Sequence, residues 1–255
     1  MNWIYPVKAF KFLTKALKSF LITGYSDSSV RSGNGDKMSN VLKLIKLDRS
    51  LVKPYNRYFL IIFIMPLLVI YSFKDFAMGV SFYMIMGATT CSYTFSVAEK
   101  NDINRLYGLL PVTKKDIVTA RYLFTALMGV IIAAVAIVSN AVLLTVFEVP
   151  FTTGQVLSGI GSALVIYFLF TAVQLPGYFK FGAIKGRFFA FIPLIGLFFL
   201  GWVSQGLASI VDTDKYSLAI LNSPSGMLIC MILLCVVIYG ISLGITNKIY
   251  GRMEL

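Results

Sequence analysis

The chain has 255 residues, of which 58% are hydrophobic and only 13% are charged. Soluble domains are typically about 45–50% apolar and about 25% charged, so this composition excludes an ordinary soluble domain and predicts an integral membrane protein. The net charge of +12 would suggest nucleic acid binding in a soluble protein, but in a membrane protein we expect no nucleic-acid partner. There is no His, and Cys91, Cys230 and Cys235 lack metal-ligand spacing, so we expect no catalytic residue, cofactor or metal site.

Residues 1–37 are predicted to form a basic amphipathic extension followed by a flexible linker. Four lysines recur at steps of three and four residues, which places them on one face of a helix that would lie on an anionic leaflet. They are Lys8, Lys11, Lys15 and Lys18. Gly24–Lys37 is rich in Ser, Gly and Asp, which is typical of a linker. Met38 is the expected ancestral start, and the role of residues 1–37 stays open.

Residues 38–255 are predicted to form one membrane domain that begins with an interfacial elbow helix, residues 39–53. In this helix Val41, Leu44 and Ile45 alternate with basic residues, and Pro54 is expected to end it. Six later stretches lack Asp, Glu, Lys and Arg and approach the roughly 20 residues that cross a bilayer. They are Tyr58–Phe73, Phe76–Val97, Tyr122–Phe147, Val156–Phe179, Phe188–Ile210 and Met227–Thr246. Lys74 and Asp75 would then form a tight turn between the first two helices.

The distribution of basic residues predicts the orientation of the six transmembrane helices. Six crossings place both termini on one side of the membrane. Of the 23 Lys and Arg residues, all but Lys74 and Lys215 fall on the side of the termini. Lys and Arg are enriched in cytoplasmic loops, so both termini are predicted to be cytoplasmic. The predicted fold class is therefore an all-α integral membrane protein with six transmembrane helices preceded by interfacial amphipathic helices.

The loop between the second and third spans contains a short amphipathic helix at about residues 99–110. Its apolar positions are spaced at i, i+3, i+4 and i+7, which forms one stripe. The stripe consists of Ile103, Leu106, Tyr107 and Leu110. Pro111 is expected to stop this helix, and Thr113 with Asp116 resembles a capping box that starts the next one. From periodicity alone, this segment could equally be a helix that lies on lipid headgroups.

Two parts of this loop resemble the ABC-2 family of exporter permeases. They are Glu99-Lys-Asn101 and Leu109-Leu-Pro-Val-Thr-Lys-Lys-Asp-Ile-Val118. The likeness is greatest to small bacterial permeases that export amphipathic peptides, such as the phenol-soluble modulin exporters. In that family the loop forms a coupling helix that contacts a separate ATPase. The contacts that the resemblance implies here are Glu99, Asn101, Asp102, Asn104, Arg105, Leu106 and Tyr107.

The resemblance implies a permease subunit in a bacterial plasma membrane, with a partner ABC ATPase, a second permease copy and membrane lipid as partners. The sequence has no Gly-x-x-x-x-Gly-Lys-Ser/Thr motif, so ATP and Mg are expected on the partner ATPase. No predicted span contains an acid or His, which argues against proton or sodium coupling. An amphipathic or hydrophobic peptide is the expected cargo. The alternatives are a drug or lipid exporter permease and a non-transporting peptide-immunity membrane protein.

Gly240 and Gly244 form a Gly-x-x-x-Gly motif in the last predicted span. Such spacing allows two helices to approach closely. The motif is expected to serve packing within one subunit or, as the alternative, a dimer seam.

Overall fold

The computed structural model describes residues 34–52, 64–101, 107, 112–150, 152–196 and 224–253, and the regular structure in these residues is helical. The predicted all-α class is therefore confirmed for this part of the chain. The elements are α1 (Asn34–Val52), α2 (Ile64–Phe73), α3 (Phe76–Lys100), α4 (Lys114–Val146), α5 (Thr153–Gly186), a 3-10 helix (Arg187–Ala190) and α6 (Pro224–Gly251). Residues 191–196 are also helical.

Three helical runs among the described residues are long and apolar enough to cross a membrane: Lys114–Val146, Thr153–Gly196 and Ser225–Gly251. They agree with the prediction of an integral membrane protein. α3 has 25 residues, or about 37 Å of helix, which is also sufficient length. Its six Ser and Thr residues lower its hydropathy. Six spans stay a prediction, because most of Phe188–Ile210 and the first part of Tyr58–Phe73 lie outside the described residues.

The run Thr153–Gly196 is a hairpin rather than one straight span. Gly182 has φ 76° and ψ −179°, a conformation that only glycine adopts readily, and the helix is broken there. In a continuous helix, residues 177 and 189 would be about 18 Å apart. Instead, a Cβ atom on Gly177 would lie 2.5 Å from the Phe189 ring, and the rings of Phe181 and Phe189 stack at 5.3 Å. The chain therefore reverses at Gly182, within residues 180–187, which lie between the predicted spans Val156–Phe179 and Phe188–Ile210.

The turn between α2 and α3 confirms the predicted hairpin of the first two spans. α2 ends at Phe73 and α3 begins at Phe76, which leaves only Lys74 and Asp75 between them. Lys74 has φ 51°, and the Asp75 side chain caps α3 by accepting a 2.7 Å hydrogen bond from the Met78 amide. A two-residue turn forces the two helices to lie side by side.

α5 packs extensively against both α3 and α6, and α3 also packs against α4. Small residues make these close approaches possible. A Cβ atom on Gly79 would overlap Asn140 Oδ1, and one on Gly129 would overlap the Tyr167 ring. The side-chain oxygen of Asn140 is buried, has no hydrogen-bond donor among the described residues and lies close to Gly79.

α1 differs from the predicted elbow in its bounds. It runs from Asn34 to Val52, so it begins inside the predicted linker instead of at residue 39. The face that carries Val41, Leu44 and Asp48 is buried, and α1 packs mainly against α4. These positions follow an i, i+3, i+7 spacing, which explains why one face of the helix is covered. The predicted domain boundary at residues 37/38 stays a prediction, as does the extension 1–33, which lies outside the described residues.

Candidate functional site at the loop face

We call the end of the bundle where α3 ends, α4 begins, the chain reverses at Gly182 and α6 ends the loop face. Several contacts hold these pieces together. Lys114 Nζ, at the start of α4, donates to the carbonyl oxygens of Gly251, the last residue of α6, and of Met253 just beyond it. Lys74 lies at the opposite end, where it sits over the Phe147 ring. Glu99, Asn101 and Tyr107 of the predicted coupling segment lie at the loop face.

Glu99 lies in the last turn of α3, whereas a separate coupling helix was predicted to begin at about residue 99. No breaker follows Val97, so α3 continues to Lys100. Asn101 is its C-cap residue, with φ −105° and ψ 13°, and both its backbone N–H and its side-chain Nδ2 donate to the Val97 carbonyl. The exposed carboxylate of Glu99 reaches across and accepts a 2.6 Å hydrogen bond from the Ala183 amide. This bond ties the end of α3 to the chain reversal at Gly182.

The start of α4 confirms the predicted capping box. The Thr113 hydroxyl accepts from the Asp116 amide at 3.2 Å, and Asp116 Oδ2 accepts from the Thr113 amide at 3.1 Å. Two N–H groups that the helix leaves without an internal partner are thereby satisfied. The reciprocal pair fixes the direction in which α4 leaves the loop.

A buried charge cluster joins α1, the loop and α4. Arg121 Nε lies 3.0 Å from Asp48 Oδ2, and the side chains are 4% and 2% exposed, respectively. Arg121 Nη2 donates to the Tyr107 hydroxyl at 3.2 Å, and the guanidinium stacks over the Phe95 ring at 4.6 Å. Asp48 Oδ1 and Arg121 Nη1 have no hydrogen-bond partner among the described residues.

Burial dominates the electrostatics of this cluster. It raises the pKa of the Asp48 carboxyl above its ordinary value, because the loss of hydration outweighs the attraction of Arg121. Burial likewise raises the pKa of Tyr107 to about 12, although Arg121 favours the ionised phenol. Tyr107 is therefore a neutral phenol at physiological pH.

A cavity of about 250 Å³ opens beside this cluster, and we call it the aromatic cavity. Phe95 stacks on Tyr178 at 5.1 Å, and Phe179 meets Tyr250 edge to face at 5.1 Å, so rings form much of its wall. Glu99, Arg121 and Lys180 add charged groups to the lining.

The predicted site residues are placed in two groups. Glu99, Asn101 and Tyr107 are described, and Glu99 and Tyr107 both line the aromatic cavity. Tyr107 is only 4% exposed, so its ring packs inside this chain rather than projecting as a surface anchor for a partner. Contact of the loop with an ATPase stays a prediction. The remaining predicted contacts lie outside the described residues: Asp102, Asn104, Arg105 and Leu106.

Gly240 and Gly244 lie on an exposed part of α6. A Cβ atom added to either would meet nothing within 4 Å among the described residues. Packing of this motif against another described helix of the same subunit is therefore not observed, and the dimer seam stays a prediction.

Sequence reasoning missed Asp48, Arg121 and Gly182. A signal for the first two was present in the helical pattern. Asp48 follows Val41 and Leu44 on one apolar stripe, and Arg121 follows Ile117 by one turn on the buried face of α4. Opposite charges at apolar positions of two neighbouring helices indicate a buried pair. Gly182 carries no comparable signal, because glycine is common in membrane helices.

Comparison with known families gives one match over most of the chain. The sequence model described as "ABC-2 family transporter protein" matches residues 43–251, a range that begins within α1 and includes all later described helices. Comparisons with curated proteins and with solved structures give no match. The chain therefore belongs to the ABC-2 transporter family, as a membrane-spanning permease subunit of an ABC transporter.

Proposed function

We propose that this chain is the permease of an ATP-driven exporter that moves amphipathic or hydrophobic peptides out of a bacterial cell across the plasma membrane. ATP and Mg bind a separate ABC ATPase, and a second permease copy completes the transport path. Family membership supports the permease role and the association with an ATPase. The cargo, the direction of transport and the dimer are proposals that go beyond family membership.

The observation that carries the cargo proposal is the absence of charge from the spanning helices. Residues 76–98, 122–147, 153–179 and 225–247 contain no Asp, Glu, Lys or Arg. Charged groups inside a membrane mark ion and proton pathways, so their absence favours a cargo that partitions with lipid. An amphipathic peptide buries an apolar face in such surroundings while its polar face stays at the interface.

The ATPase is proposed to dock at the loop face. Lys100, Lys115 and Arg252 are exposed there, whereas Lys74 is at the opposite end. This excess of basic residues at the loop face supports a cytoplasmic position for it, because Lys and Arg are enriched on the cytoplasmic side of membrane proteins. Because Tyr107 is turned inward, the ring would hold the loop on the bundle. Asp102 and Arg105, on the opposite side of the predicted helix, become the better candidates for contact with the ATPase.

The second permease copy is proposed to pack along α6. Gly240 and Gly244 form a groove without side chains along the exposed face of α6, and the exposed side chains of Val237 and Ile241 lie beside it. Small residues in such a groove allow two backbones to approach closely in lipid.

The test is co-purification and peptide-stimulated ATP hydrolysis in proteoliposomes. The tagged chain is co-expressed with an ATP-binding cassette protein from a neighbouring reading frame. A 20-residue amphipathic peptide, a lipophilic dye and buffer are the three substrates. We expect a stable complex and ATP turnover that the peptide stimulates more than the dye.

Two variants locate the contact. Asp102→Ala/Arg105→Ala should weaken capture of the ATPase, whereas Val142→Ala, on an exposed part of α4 near the opposite end, is the control and should not. A complex that hydrolyses ATP without moving peptide would refute the cargo. A chain that binds peptide and recruits no ATPase would refute the permease proposal and favour a peptide-immunity protein.

A further inference from the structure

A second cavity at the loop face, of about 220 Å³, lies between the end of α3 and the 3-10 helix, and we call it the basic cavity. Its lining carries two cations and three hydroxyl groups and, among the described residues, no acid. It consists of Ser92, Tyr93, Ser96, Val97, Lys100 and Arg187. It shares no residue with the aromatic cavity.

The helical register of α3 builds one wall of this cavity. Ser92, Ser96 and Lys100 are spaced four residues apart, so they form a row with a rise of about 6 Å per step. The cation lies at the end of the row nearest the loop face. The adjacent Glu99 points elsewhere, since its carboxylate is held by the Ala183 amide and lines the aromatic cavity.

The chain reversal at Gly182 brings the second cation to this row. Arg187 begins the 3-10 helix that follows α5, and its Nη2 lies 3.5 Å from Ser96 Oγ. That is a long contact, so the exposed guanidinium keeps most of its donors for another acceptor. Two cations that converge without an acid among the described residues repel each other, and a bound anion would relieve the repulsion.

The depth of the basic cavity corresponds to the level of lipid headgroups. Lys100 ends a helix whose residues 76–98 are uncharged, and Arg187 precedes an uncharged run that begins at Phe188. Phe188 and Ile184 flank Arg187 and are 74% and 72% exposed, respectively. Their surface continues into exposed Phe191 and Ile192, so an apolar surface for acyl chains adjoins the two cations.

We propose that the basic cavity binds the phosphodiester headgroup of an anionic phospholipid. Arg187 offers a planar fork that matches phosphate oxygens, Lys100 adds a point charge, and the Ser96 hydroxyl can donate. Ligand pockets for drug-sized molecules are about 300–1,000 Å³, so the smaller cavity suits a headgroup whose acyl chains remain in the bilayer. Basic pockets between transmembrane helices are a known form of headgroup site. The proposal rests on the chain spanning a membrane and does not depend on the cargo or the ATPase.

The experiment measures lipid binding to the purified full chain by native mass spectrometry and by retention of fluorescent phosphatidylglycerol in detergent micelles. Phosphatidylcholine and inorganic phosphate are the comparison ligands. Each basic residue near an anionic lipid surface contributes about 1 kcal/mol, or about a fivefold change in affinity. Lys100→Gln and Arg187→Gln should each lower phosphatidylglycerol affinity about fivefold, and the double variant about 25-fold. Arg187→Lys should fall between wild type and Arg187→Gln.

The matched control is Lys115→Gln/Lys185→Gln, which removes the same charge from exposed residues outside the basic cavity. It should leave binding within about twofold, and raised salt should weaken binding to wild type. Circular dichroism checks that all variants are equally helical. An equal loss in the control pair would show diffuse surface attraction and overturn the site. Equal binding of phosphatidylcholine would overturn the requirement for an anionic lipid, and displacement of lipid by millimolar phosphate would assign a free-anion site instead.

Discussion

The buried pair of Asp48 and Arg121 allows a quantitative test of how α1 is held on the bundle. Surface ion pairs contribute about 0–1 kcal/mol to stability, whereas removal of one partner of a buried pair costs about 3–5 kcal/mol. Side-chain exposures of 2% and 4% place this pair in the second class. Asp48→Leu should therefore lower the free energy of unfolding by about 3–5 kcal/mol, because Arg121 is left buried without a counter-charge.

The double variant should behave differently from the sum of the single variants. Burial raises the pKa of Asp48, so hydration lost by the carboxylate outweighs the attraction of Arg121. Replacing both charges by apolar residues is then expected to be near neutral. Asp48→Leu/Arg121→Met still leaves the Tyr107 hydroxyl buried without its donor, at a cost of about 1–3 kcal/mol. Adding Tyr107→Phe to the double variant should recover this loss.

The assay is reversible unfolding in mixed detergent and SDS micelles, followed by circular dichroism at 222 nm. Arg49→Leu, an exposed charge on the same helix, is the control and should change stability by less than about 0.5 kcal/mol. A loss below 1 kcal/mol for Asp48→Leu would show that the pair behaves as a surface pair. A double variant that loses as much as both single variants together would show that the charges do not interact, and either result refutes the argument.

Three glycines give further predictions, measured by the same unfolding assay. Gly79→Ala should lower the free energy of unfolding by about 1–3 kcal/mol, because the added methyl group overlaps Asn140 Oδ1. Asn140→Ala in the same chain should restore part of this stability. If it restores none, the strain lies elsewhere. Gly182→Ala should also cost about 1–3 kcal/mol, because φ 76° with ψ −179° is strained for any residue with a side chain; an unchanged midpoint would contradict the observed backbone. Gly240→Ala should leave monomer stability nearly unchanged, since nothing lies within 4 Å of the added carbon, and should weaken self-association in cross-linking if α6 is the dimer seam.

The helices of this chain were predictable where the signal was local. The capping box at Thr113 and the two-residue turn at Lys74 depend on side chains within three residues of each other, and both are confirmed. The end of α3 was less predictable. Glu99 belongs to that helix because nothing before Asn101 interrupts it, and helix bounds from sequence are uncertain by a few residues.

The inward position of Tyr107 could not be deduced from the loop alone. An apolar stripe at helical spacing indicates that one face will be buried, but the stripe is equally compatible with a partner, with lipid and with the same chain. The deciding information lies outside the loop. Arg121 on α4 donates a hydrogen bond to the Tyr107 hydroxyl and forms an ion pair with Asp48 on α1. A buried arginine needs acceptors, and the Tyr107 hydroxyl is one of those available to it.

The same contacts determine how a displacement of the loop would reach the membrane helices. Glu99 holds the reversal at Gly182 through one carboxylate–amide bond, and such a charge-assisted bond is stronger than a neutral one. Arg121 on α4 donates a hydrogen bond to Tyr107. Glu99 and Tyr107 therefore attach the loop to different helices. Residues on either side of Gly182 pack closely, and Gly182 itself lies at φ 76°, which glycine adopts without a steric penalty. If the ATPase docks at the loop face as proposed, a displacement of the loop would therefore reach the reversal at Gly182 through Glu99 and would reach α4 through Arg121.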